Sequence, residues 1–117
     1  MQTDNDMTSI LNSVKKMLGM PIEYNPFDGD IIVHINSVFA NLAQMGVGPK
    51  DGFAISDSST TWSEFTEDNV LMNNVKSLVY LKVRLLFDPP TIGAVMESIN
   101  NQIHELEYRL YTQGGGY

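Results

Sequence analysis

Apolar residues recur along this chain at the three-and-four spacing of helices that bury one side. Ile10, Leu11, Val14, Met17 and Leu18 form the first such run, with Thr8 or Ser9 placed to cap it and Gly19 and Pro21 to stop it. Residues 23–26 read as a loop. The second run is Ile31, Ile32, Ile35, Val38, Phe39, Leu42 and Met45, with Asp28 or Asp30 in capping position. Gly46 closes it and Gly48-Pro49 prevents continuation.

A third helix is predicted over 69–87. Leu71, Val75, Leu78, Val79, Leu85 and Leu86 share one side, and Met72, Tyr80, Val83 and Phe87 add apolar surface elsewhere. A helix apolar nearly all round belongs at the centre of a core or between subunits. Asp88 stands where it can cap a fourth helix, with Pro89 at the first position. In that helix Ile92, Met96, Ile99, Ile103, Leu106 and Leu110 step by alternating fours and threes, a coiled-coil spacing. Glu105 and Arg109 stand at i,i+4 for an ion pair.

Residues 47–65 break the helical rhythm. Phe53 and Ile55 alternate with small or polar neighbours, which suits a short strand, and 57–61 has the composition of a turn. An irregular loop or small β-hairpin is expected there. Thr61 and Glu64 fit a capping box, which makes Trp62 to Phe65 a single helical turn. The prediction is an all-α fold: a small four-helix domain over 8–112, with a central loop or short hairpin between helices 2 and 3. Residues 1–7 and 113–117, the latter with Gly114-Gly115-Gly116, are expected to be flexible ends.

The size of the chain, 117 residues, allows one modest core, and small helical domains are often completed by association. Fourteen acidic residues against 7 basic ones give a formal charge of −7. Such a surface repels phosphate backbones, so tight nucleic-acid binding is not expected. With no cysteine, disulfides, thiolate nucleophiles and Cys-ligated metals are excluded. Lys76, Lys82 and Arg84 interrupt the longest apolar stretch, which therefore reads as a buried helix rather than a membrane span. Asp4 and Asp6 stand where a signal peptide would need a basic and then apolar start, so folding in a cytoplasm is expected.

Candidate chemistry is sparse. His34 and His104 have no partner at a metal-ligand spacing and read as surface or boundary histidines. Asp28 and Asp30 offer too few oxygens for a calcium loop. The hydroxyls of 57–61 have no base at a recognisable spacing. Gly46-Val47-Gly48 lacks the lysine and the strand-to-helix context of a phosphate loop, and Lys15-Lys16 is too small a basic patch for nucleic acid. No catalytic, metal or cofactor-binding residue is assigned.

Trp62 and Phe65 are either loop anchors for a partner or caps of the chain's own core. Phe53, Ile55, Trp62 and Phe65, with Lys76, Lys82 and Arg84 on the third helix, are the candidates for contacts between subunits or with a partner protein. The three cations would pair across such an interface or reach to water.

Several stretches resemble the head–tail connector (adaptor) proteins of tailed bacteriophages. They are Ser9 to Lys16 with Leu18-Gly19, Asp30 to Asn36, Gly46 to Pro49, Phe53 to Asp57, Trp62, Tyr80 to Pro90, and Glu105 to Leu110. The resemblance covers residues 9 to 112. It implies a structural protein of the virion neck, assembled in the host bacterial cytoplasm, with no enzymatic activity and no cofactor. It implies a homo-oligomeric ring of about a dozen copies beneath the portal protein, docking the next neck or tail component. DNA would pass through the lumen without specific binding, and no membrane is involved. The resemblance makes the end of the last helix and the tail, Tyr108, Arg109, Tyr111 and Tyr117, the candidates for portal contact. Two other readings compete with it. One is a free helical adaptor or regulator that binds a partner through its C-terminal helix; the other is a small hydrolase using His34 or His104.

Overall fold

The computed structural model describes residues 7–113, with the side chain of Gln113 left out; the expected flexible ends fall almost wholly outside that range. Five helices from Ile10 onward follow in order among the described residues: α1 (Ile10–Met17), α2 (Asp28–Gln44), α3 (Trp62–Phe65), α4 (Asn69–Phe87) and α5 (Gly93–Gln113). Among the described residues there is no strand, only an isolated antiparallel bridge between Ser9 and Thr61. The fold is all-α.

The helix boundaries follow from local chemistry. Ser9 caps α1, its Oγ accepting from the Asn12 N–H at 3.2 Å. Asp68 caps α4 by accepting from Val70 and Leu71. Helices α1 and α2 both end in Schellman motifs. After α1 the N–H groups of Gly19 and Met20 reach the Lys16 and Lys15 carbonyls; after α2 those of Gly46 and Val47 reach Ala43 and Leu42. The expected capping box at α3 forms, with Glu64 accepting from the Thr61 N–H at 3.0 Å.

Two expected caps are corrected. Asp28 does not cap α2: Phe27 holds that position without a side-chain bond, and Asp28 is the first helical residue, turned toward Lys15. Asp88 does not cap the last helix either. It ends α4, its N–H donating to the Arg84 carbonyl at 2.8 Å, and α5 starts only at Gly93. The reason is Pro90. A residue preceding proline is pushed out of the α region, so Pro89 cannot serve as a first helical residue. The Ile92 carbonyl instead accepts the first α5 bonds, from Val95 and Met96.

One apolar cluster draws on all five helices. Helix α4 is its centre, packed against α2 on one flank and α5 on another. Val75, Leu78, Val79, Leu81 and Val83 of α4 are buried, as are Ile31, Ile35, Val38, Phe39 and Leu42 of α2. From α5 come Ile99, Ile103 and Leu110. Three expected core positions are exposed: Ile92 at 63%, Leu86 at 56% and Met17 at 40%. Ile92 precedes α5, and Leu86 rims a groove described below.

Residues 47–61 form an irregular connection, not a hairpin. The alternation at Phe53 and Ile55 correctly marks buried side chains, yet no strand forms. Ile55 pairs with a side chain instead: its N–H donates to Asn36 Oδ1 at 2.8 Å and its carbonyl accepts from Asn36 Nδ2 at 2.9 Å. One amide on α2 thus supplies both bonds that a neighbouring strand would have given.

Candidate interaction surfaces

Lys15 on α1 is completely buried. Its ammonium lies 2.7 Å from Asp28 Oδ1, donates to the Ile22 carbonyl at 2.6 Å, and reaches Asn25 Oδ1 at 3.5 Å. The cation stands in the last turn of one helix and the carboxylate in the first turn of the next, so each complements the local helix dipole. Because Asp28 is held this way, it is not free to serve a cation site. In the sequence Lys15-Lys16 reads only as a basic patch too small for nucleic acid, which does not foresee the burial of Lys15. The missed signal is that Lys15 follows Leu11 by four residues on the buried side of α1.

The loop candidates lie inward. Ile55, Trp62 and Phe65 are buried, and Phe53 is half-buried. Phe39, Phe53 and Phe65 form a triangle of rings with centroids 5.0 to 5.2 Å apart, and Trp62 stands 6.3 Å from Phe39. The Trp62 indole N–H donates to Ser13 Oγ at 2.9 Å, and Ser13 Oγ in turn donates to the Ile10 carbonyl. Ser9 Oγ donates to the Ser58 carbonyl and the Ile10 N–H to the Thr60 carbonyl, which ties the start of α1 to the loop. In this conformation Ile55, Trp62 and Phe65 cap the chain's own core and offer a neighbour no exposed side chain.

The three α4 cations separate. Lys76 lies over the Trp62 ring, 5.8 Å from its centroid. Lys82 pairs with Glu107 of α5 at 2.8 Å, so its partner is within the chain rather than across an interface. Arg84 is half-buried, and its guanidinium makes no hydrogen bond or ion pair among the described residues. It lines a cavity of about 280 Å³ with Met17, Leu18, Gly19, Tyr80 and Asp88.

A groove of about 290 Å³ lies between α2, α4 and α5. Val38, Leu85, Leu86 and Ile103 give it an apolar floor, and the Lys82–Glu107 pair and His104 line it as well. Among the described residues neither the His34 nor the His104 side chain makes a hydrogen bond or ion pair, and there is no cluster of three or more His, Asp or Glu able to hold a metal. Near the start of α2 Tyr24, Phe27 and Phe87 stack in sequence, with centroid separations of 6.0 and 5.3 Å, and Tyr24 and Phe27 are exposed.

At the far end of α5 Tyr108 is 70% exposed and Tyr111 is exposed too. Arg109 forms the expected pair with Glu105 at 2.9 Å. Tyr117 lies outside the described residues. No described helix is long and apolar enough to cross a membrane.

A family model described as "Phage connector protein" matches residues 10–116. No curated protein and no solved structure matches the chain.

Proposed function

The chain belongs to the phage connector protein family, and from that premise we propose that it is a ring-forming component of the neck between the capsid and the tail. About a dozen copies sit under the portal protein, continue the DNA channel, and present a docking surface to the next neck or tail component. The carrying observation is the extent of the family match, which takes in every helix of the fold from α1 to α5. The role is structural: the ring holds, aligns and seals, and no residue is assigned to catalysis.

The geometry is compatible. The core takes Leu110 from the last turns of α5 and leaves Tyr108 and Tyr111 there exposed, and aromatic side chains bury much area with few rotatable bonds. We assign this end of α5, with Arg109 and Tyr117, to the portal. The net charge of −7 is repeated in every copy, so the share facing the lumen repels passing DNA and keeps it from adhering.

Mass measurement of the chain mixed with the portal protein of its phage tests the reading. A closed complex with many copies per portal is expected. A chain that stays as one or two copies and never joins a portal would instead be a free helical adaptor. Deleting residues 114–117 should leave the melting temperature unchanged, because the buried positions of α5 end at Leu110, and should weaken portal docking. Unaltered docking would remove Tyr117 from the contact.

A further inference from the structure

We propose that the cavity between the end of α1 and α4 is the receiving half of the contact between copies, and that Arg84 there takes the Glu97 carboxylate of the adjacent copy. This rests on the ring reading above and assigns the surfaces that close it.

The first argument is charge. Of the three acids on α5, Glu105 is held by Arg109 and Glu107 by Lys82, while Glu97 is exposed and unpaired among the described residues. Among the cations, Lys16, Lys50, Lys76 and Arg84 have no acid partner among the described residues; Lys76 lies over the Trp62 ring, and Arg84 lines the recess. Two copies that each carry −7 repel one another, so a recess holding an unmatched guanidinium is where an acidic neighbour can approach. Asp88 lines the same recess without pairing to Arg84. A guanidinium has five N–H donors, more than one carboxylate occupies, so Asp88 does not exhaust it.

The second argument is placement. Lys82 and Leu86 face the α5 groove, and each is two residues from Arg84, about 200° around the helix. The recess and α5 therefore lie on opposite flanks of α4. Glu97 in turn is exposed and on the outer side of α5, since Ile99, two residues on and about 200° around the helix, is buried in the core. A closed ring needs two different faces pointing in roughly opposite directions, and this pair supplies them. The apolar part of the recess, Met17, Leu18 and the Tyr80 ring, gives the incoming helix a surface to cover.

A charge swap in the full chain, assembled with portal protein and weighed intact, is the test. Arg84→Glu and Glu97→Arg should each lower the yield of closed rings about ten-fold or more, and the double swap should restore it. Both side chains reach solvent, so the melting temperatures should stay near wild type. Because the chain has no cysteine, mixed Arg84→Cys and Glu97→Cys chains should also be joined by a short bis-maleimide once assembled. Normal rings from either single variant would overturn the pairing, as would a double swap that fails to recover assembly or an absent cross-link. Failure of the wild-type chain to form rings at all would instead overturn the underlying ring reading.

Discussion

Lys15 sets the strongest demand of any single residue. Breaking a buried ion pair by removing one partner leaves the other charge stranded. Asp28→Ala strands a fully buried ammonium and should cost about 3 kcal/mol in urea unfolding. Lys15→Met keeps the aliphatic stem, and the remaining carboxylate, 27% exposed, can be hydrated, so it should cost clearly less. Equal losses would mean that the pair acts through packing alone. Ser13 carries a second prediction. Ser13→Ala leaves the buried Trp62 N–H without its acceptor, a loss of about 1–3 kcal/mol. Trp62 is the single tryptophan, so its emission should shift in the same variant. A third concerns Asp57, where the Ser59 hydroxyl and then the Ser59 N–H donate to the carboxylate and hold its pKa below the ordinary 3.8. A lowered folded-state pKa means that the turn is favoured in full above the ordinary value and loses that support as pH falls through the lowered one. The Ser59 amide shift should therefore titrate on the acid side of 3.8, and Asp57→Asn should abolish the step.

At the scale of elements, the two longest apolar faces give opposite outcomes for residues that look alike in sequence. Ile99→Ala removes buried volume and should cost about 2–5 kcal/mol. Leu86→Ala should stay within about 0.5 kcal/mol in the isolated chain, because Leu86 is mostly exposed. Thermal unfolding of the two variants side by side checks the contrast. Gly48 carries another prediction: its φ is +97° and an added Cβ would lie 2.5 Å from the Phe65 ring, so Gly48→Ala should loosen the aromatic triangle and lower the melting temperature. The long helices were legible because their signals are local: α4 runs over the predicted 69–87, and Ser9, Gly19 and Gly46 end or begin helices as read. Where the sequence misled, two local rules competed or a distant residue intervened. Asp88-Pro89 looks like a helix start until Pro90 is weighed, and Phe53-Ala54-Ile55 looks like a strand until Asn36 supplies its bonds. The surfaces were least legible. Burial of Trp62 depends on which elements meet, and its neighbours in sequence do not state that; for Lys15 the one local signal is its spacing of four from Leu11.

Over the whole molecule, the recess at Arg84 and the outer side of α5 lie on either flank of one central helix, so a change in α4 that tilts one face tilts the other. Net charge acts at this scale as well. The isolated chain should show no retention of duplex DNA at low salt, measured by gel shift, since its −7 opposes the phosphate backbone; a retarded band would require a basic surface in the assembled ring. The pair of hydrogen bonds between Asn36 and Ile55 has an evolutionary consequence. It pins one point of a long connection, and the bonds from Ser9 and Ile10 to Ser58 and Thr60 pin a second. Insertions and deletions among homologous chains should then accumulate at 49–52, ahead of the first pin, and avoid 53–56, where a one-residue slip would turn Phe53 and Ile55 out of the core.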